Sequence, residues 1–371
     1  MSEIQRWTVN EPYLDIAGTL LEGPFHDAAT NEFRFVDIWD HKLYRLDLAK
    51  GPDSLRVIDT DAAIGVTANI ADEAEKDQLI VGAQHGFARL DQTTGKLSYI
   101  AQPWEKDASK QKLAGPGAGQ RRFLLETSIG GSDSITVAPI YRPAGDQRQR
   151  PSAPQIPAPA SRPFSRPPAH KHARHRMRFN DGAVDSHGRF WAGTMNDPKV
   201  QSPQPEGILF RLDPDLTLHE MLAPVTIPNG MGWNAADDTM YWTDSPTGKI
   251  FAFDFDAATG AISNRRVFID LGEPLEPDGF AIDVEGCLWS AIYGGGKVLR
   301  ISPEGRVIGQ IDLPTRNPTC PAFVGTELFI TSAKDDRDDE KFPQSVRYGG
   351  RLFRVDVGVR GQPKNDFRFQ K

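Results

Sequence analysis

Six times along this chain the same run of residues recurs: a turn rich in Asp, Asn and Gly, a short apolar strand, a polar turn and a second alternating strand. The first strands include Phe33-Arg34-Phe35-Val36, Leu79-Ile80-Val81 and Phe190-Trp191-Ala192-Gly193, then Met240-Tyr241-Trp242-Thr243, Leu288-Trp289-Ser290-Ala291 and Leu328-Phe329-Ile330-Thr331. Their partners are as regular, from Lys42-Leu43-Tyr44-Arg45-Leu46-Asp47 to Arg351-Leu352-Phe353-Arg354-Val355-Asp356. Period-2 alternation of apolar residues, rich in β-branched and aromatic side chains and bounded by Gly and Asp, marks strands. Helical 3.6-residue periodicity is nearly absent. A repeat of about 40–50 residues holding several strands is a propeller blade, which buries its faces only against neighbouring blades. The sequence therefore predicts an all-β fold, a single six-bladed β-propeller over residues 1–371.

Spacing exposes one irregularity. From Asn180 to Asn229, Asp278 and Thr319 the steps are 49, 49 and 41 residues, yet 111 separate Asn69 from Asn180. About 60 residues are surplus to the repeat there. Between Pro143 and Met177 lie eight prolines, many arginines, one acid (Asp146) and three histidines, His170, His172 and His175. Such a segment buries too little apolar surface to offset its ordering entropy. Residues 109–176 are expected to form a low-complexity, disordered insertion between blades two and three, its histidines part of a solvated basic loop.

Composition bounds the function. With 39% hydrophobic residues and a formal charge of −7, the chain reads as a folded, mildly acidic protein, against the basic surface of a nucleic-acid binder. No run of 18 apolar residues is present to span a membrane, and Met1–Trp7 lacks the apolar stretch of a leader. Two cysteines, Cys287 and Cys320, are expected as buried free thiols, and the cytosol as the compartment.

In a propeller the innermost strand of each blade lines the central channel, so equivalent repeat positions converge there. Those positions are Glu22, the Thr67-Ala68-Asn69 stretch, Asn180-Asp181, Asn229, Asp278 and Thr319. Carboxylates and an amide, all oxygen donors, meet from blades far apart in sequence. Hard divalent cations prefer such donors, and the absence of His and Cys from these positions weighs against a zinc-type nitrogen and sulfur site. Taken singly, Asp181-Gly182, Asn229-Gly230 and Asp278-Gly279 read as turn dipeptides. Their shared place in the repeat favours the channel.

Other chemistries find no support. Gly294-Gly295-Gly296 lies between two strands as a hairpin loop, and neither a phosphate-binding glycine motif nor a G-x-S-x-G elbow is present. His26, His85, His187 and His219 are scattered, while Trp191, Trp242 and Trp289 share a strand position as inter-blade core.

Leu21-Glu22-Gly23-Pro24, Arg178-Phe179-Asn180-Asp181-Gly182, the run Gly188–Met195, Pro228-Asn229-Gly230-Met231 and Glu276-Pro277-Asp278-Gly279 resemble the regucalcin (senescence marker protein 30) and gluconolactonase family. The likeness covers nearly the whole chain outside the insertion. It implies that Glu22, Asn229 and Asp278 hold one divalent metal (Ca, Zn, Mn or Mg), with Asp278 also a general base, and that Arg178 and Asn180 contact substrate. A metal-activated hydroxide is the rival base. The implied reaction is hydrolysis of a small sugar lactone, with neither nucleic acid nor membrane as partner. Two alternatives stay open: a phosphotriesterase- or arylesterase-like hydrolase at the same site, and a non-catalytic calcium-binding protein. The family often places a substrate-facing acid after Ala-Gly-Thr-Met; here Asn196-Asp197-Pro198 follows, which makes Asp197 a candidate.

Overall fold

The computed structural model describes residues 4–103 and 176–370, so the expected insertion lies outside the described residues except for Arg176. Six antiparallel sheets follow one another along the chain. Their innermost strands are Leu21–Asp27, Ile64–Asn69, Met177–Val184, Pro228–Trp233, Glu276–Ile282 and Pro318–Val324. The propeller predicted from the repeat is the observed fold.

Six hydrophobic clusters hold the ring, and each straddles one blade boundary. Val36 and Leu43 meet Ile64 and Val81 between blades one and two. Phe87 meets Phe179 and Phe190 between two and three, and Trp191 meets Trp242 and Phe253 between three and four. Tyr241 packs on Phe280 and Leu288, Trp289 on Leu328 and Phe353, and Phe329 on Phe33 and Phe35, which closes the circle. Trp191, Trp242 and Trp289 are fully buried, as their shared strand position predicts. In two blades the indole is also anchored: Trp191 Nε1 donates to Asp185 Oδ2 and Trp289 Nε1 to Asp283 Oδ2, both at 2.9 Å. Each Asp lies in the turn just before its strand, so the turn and the core residue position one another.

Every innermost strand carries one extra residue relative to its partner, at the same place near its start. The register slips between Glu22 and Phe25, Ile64 and Val66, Phe179 and Gly182, Asn229 and Met231, Pro277 and Phe280, and Pro318 and Pro321. A bulge leaves its extra residue outside the ladder and re-aims the side chain. The Asn-Gly and Asp-Gly pairs are therefore bulges within strands rather than turns. Blade two departs from expectation: its bulge is at Gly65, not in the Thr67-Ala68-Asn69 stretch. A Cβ on Gly65 would stand 1.9 Å from the Asn180 carbonyl oxygen, so only glycine lets the two backbones approach so closely. Thr67 and Asn69 lie farther along and receive the buried Arg34 instead, at 2.9 and 2.7 Å.

Both ends of the described chain stitch blades together. Gln5–Thr8 adds a parallel strand to blade five, and Leu14 bridges Leu352 in blade six. Beyond blade six the tail returns across the far ends of the innermost strands. Gln362 N donates to Ile282 O in blade five, Asn365 Nδ2 to Val184 O in blade three, and Phe367 N to Asn69 O in blade two. Phe367 is fully buried in the cluster between blades two and three. Phe367→Ala should therefore cost about 3–5 kcal/mol, the range for truncating a buried aromatic. Chemical denaturation measures it, and a loss below about 1 kcal/mol would show that the tail is not docked in solution.

Candidate active site at the head of the channel

The bulges bring the predicted residues together at one end of the channel. Glu22, Arg178, Asn180, Asn229 and Asp278 are each 6% exposed or less, and Asp181 is 9% exposed. Arg178 donates through Nη1 to Asn180 Oδ1 at 2.7 Å and to Phe179 O at 3.0 Å. Asn180 Nδ2 donates to Asn229 Oδ1 and to Pro228 O, both at 2.9 Å. Asn229 Nδ2 in turn donates to Ser245 Oγ at 2.8 Å. Both amide hydrogens of Asn180 are thus engaged by protein, which leaves only its carbonyl oxygen to meet a ligand.

Three acids share this pocket with one guanidinium. Burial first, then the charges of Asp278 and Asp181, push the Glu22 carboxyl well above its ordinary range. Burial and Asp181 do the same to Asp278. Asp181 is pushed up to about 6, chiefly by burial, against the opposing charge of Lys364. The Arg178 guanidinium is lowered by burial to about 10 and stays protonated, supported first by Asp197 and then by Glu22 and Asp278. Asp278 Oδ1 and Arg178 Nε are buried with no hydrogen-bond partner. An unmet buried polar atom costs about 1–3 kcal/mol, and these two lie among three acids whose mutual repulsion a bound cation would relieve. A divalent cation fits the donor set. Glu22 and Asp278 supply charge, and Asn229 Oδ1 keeps one lone pair after accepting from Asn180.

Not every channel position contributes. The Thr319 hydroxyl donates to Leu21 O at 2.6 Å and lies 2.8 Å from Thr331 Oγ1, so it ties blade six to blade one. Cys287 and Cys320 are buried free thiols, as expected. Cys320 is held protonated by burial and by the nearby charges of Asp181 and Glu22. Asp197 is 8% exposed, and its Oδ1 accepts from Lys199 N at 2.9 Å. Among the described residues the one compact trio of possible charged ligands, Asp283, Glu285 and Cys287, stands elsewhere. Asp283 already takes the Trp289 indole and Arg300, and Arg300 also holds Glu285 at 2.6 Å, so both carboxylates are already engaged by one guanidinium. Sequence reasoning left out Ser245. It follows blade four's second strand, and no spacing rule connects it to Asn229.

The raised carboxyls carry a sign for stability. A carboxyl with a higher pKa in the folded state holds its proton longer there than in the unfolded chain. Its contribution is present at low pH and lost as pH rises through the folded value. For Asp181 the window runs from the ordinary value, ~4, to about 6, and the raised Glu22 and Asp278 add losses of the same sign. Metal-free protein should therefore lose melting temperature across this window, saturating divalent cation should flatten the loss, and Asp181→Asn should make it shallower. Melts in chelator and in metal test this; a slope indifferent to cation would contradict the shared-pocket electrostatics.

Comparison with known proteins agrees with this architecture. Residues 20–115 and 156–334, well over half of the chain, match the SMP-30/Gluconolactonase/LRE-like region. An uncharacterized protein of Sulfolobus acidocaldarius is 46% identical over 191 residues, covering 50% of this chain and 65% of that protein. Regucalcin of Xenopus laevis is 41% identical over 192 residues, covering 50% of this chain and 64% of the relative. The matched segments thus span just under two thirds of those relatives. Among solved structures, a regucalcin from Agrobacterium tumefaciens, described as a calcium-binding protein, superposes with a TM-score of 0.71 at 22% identity, over 98% of this chain and 99% of that one. A gluconolactonase from Xanthomonas campestris gives 0.57 at 19% identity, over 95% and 89%. At such identities the structures speak for the fold, while the family pattern decides membership: the chain belongs to the SMP-30/gluconolactonase/LRE-like family.

Proposed function

We propose that this chain is a divalent-metal-dependent hydrolase that opens a sugar lactone. The observation that carries the reading is Asp278, whose carboxyl is buried beside Glu22 and Asp181 with Oδ1 unpartnered. The gluconolactonase among the structural relatives supports the substrate class, and the oxygen-only donor set favours a hard cation such as calcium. Glu22, Asn229 and Asp278 would hold the metal, which supplies Lewis-acid polarisation of the ring carbonyl when bound. Asp278 then takes a proton from the attacking water and returns it to the ring oxygen as the acyl C–O bond breaks. General-base help of this kind is worth roughly 10²–10⁴-fold. Arg178 offers its free Nε–H to substrate oxygens, and Asp197 stands beside it to hold its charge. Burial of the pocket keeps these interactions strong by excluding bulk water.

Metal-free protein is to be assayed against a sugar lactone, an aryl ester and a phosphotriester, with Ca, Zn, Mn and Mg restored singly. Lactone turnover should return with metal. At saturating metal, Asp278→Asn should lower turnover at least about 10²-fold, whereas Arg178→Ala should chiefly raise KM. Preference for the ester or the phosphotriester would reassign the substrate. Metal binding without turnover of any of them would leave the calcium-binding reading in its place.

A further inference from the structure

An asparagine amide presents an oxygen on one side and an NH₂ group on the other, and only the oxygen can ligate a cation. Which side of Asn229 faces the channel is decided by a chain of hydrogen bonds with fixed polarity. At one end stands the Arg178 guanidinium, which can only donate, so the atom of Asn180 that it meets at 2.7 Å must be the oxygen. Asn180 Nδ2 is then committed to the Pro228 carbonyl, which can only accept, and to Asn229 Oδ1. A reversed Asn229 would set NH₂ against NH₂. At the far end Ser245 Oγ accepts from Asn229 Nδ2 at 2.8 Å.

Ser245 is well placed to serve as a fixed stop. It is 4% exposed, and its backbone N–H donates to Ile227 O at 3.1 Å. The preceding Asp244 accepts from the N–H groups of Thr226 and Ile227, and Thr247 Oγ1 donates back to Asp244 O at 2.7 Å. The hydroxyl is therefore carried by a pinned turn, in a different part of blade four from Asn229.

We infer that Ser245 is a positioning residue for the metal centre: with Asn180 it clamps the Asn229 amide so that Oδ1, not Nδ2, is presented to the cation. This rests on the metal site proposed above. Partners that orient a ligand are commonly worth about 10–100-fold in metal affinity. Without the hydroxyl, a buried Nδ2 loses its acceptor and the amide is held by Asn180 alone, which fixes its sense less firmly.

The test is calorimetric titration of metal-free protein with Ca²⁺ and Mn²⁺, alongside its melting temperature. Ser245→Ala should weaken binding about 10–100-fold with little change in the metal-free melt, and Ser245→Thr, which keeps the hydroxyl, should restore most of it. In an Asn229→Ala background, Ser245→Ala should cost nothing further, because Ser245 acts only through that amide. In metal-free protein the Asn229 side-chain amide protons should exchange faster once Ser245 is Ala. Should Ser245→Ala fail to fold, Ser245→Cys, which keeps a side chain of similar size but offers Asn229 Nδ2 a weaker acceptor, should weaken binding likewise. Wild-type affinity retained by Ser245→Ala, or losses that add to those of Asn229→Ala, would overturn the inference and leave the metal site standing. A wild-type protein that takes up neither cation would remove the site itself, and this role with it.

Discussion

One extra residue near the start of each innermost strand governs what this propeller can present. In a regular strand successive side chains alternate between the two faces, and in a blade both faces are claimed by neighbouring blades. Strict alternation would bury Glu22, Asn229 and Asp278 in those apolar seams or waste them. The bulge interrupts that alternation: Glu22 and Asn229 are the last paired residues before it, opposite Val36 and Thr243, while Asn180, Asp181 and Asp278 lie within it, outside the ladder. The polar pocket follows from this repeated irregularity. So does the division of labour within the ring, with Trp191, Trp242 and Trp289 holding the seams while the buried polar residues gather at or beside the bulges.

The pocket is also where the fold holds its least favourable electrostatics. Glu22, Asp181 and Asp278 are packed with too little positive charge to balance them, and Asp278 Oδ1 lacks even a hydrogen bond. The six apolar seams supply the stability against which such a site is tolerated. Hydrogen bonding meanwhile sets direction: a donor-only guanidinium at one end and an acceptor-only carbonyl along the way leave each amide a single sensible orientation.

Much of this was legible in the sequence because it repeats. Alternating strands and the spacing of Asn180, Asn229, Asp278 and Thr319 were enough to expect six blades and a channel. The dipeptides Asn229-Gly230 and Asp278-Gly279 were harder, since a bulge and a turn ask for the same residue types; only the strand register separates them. Blade two was misplaced for a physical reason. Its slip falls at Gly65, directly after Ile64, an apolar residue packed into the seam with blade one, while polar Thr67 and Asn69 belong to Arg34. Thr319 stood in the right place, but its hydroxyl is spent on the Leu21 carbonyl. Ser245 was out of reach, because its contact with Asn229 joins a turn to an innermost strand and leaves no periodic trace.

The tail beyond blade six gives the ring a property that seams alone do not provide. A circle of like units can be breached at any one boundary, after which the remainder peels away in order. Here Gln362, Asn365 and Phe367 fasten the chain to blades five, three and two in turn, and blades five and two lie on opposite sides of the circle. The tail is a diametric brace. A gap opening at one seam remains spanned by it, so blades that share no boundary must part together, and the cooperative unit becomes the whole wheel rather than the single spoke.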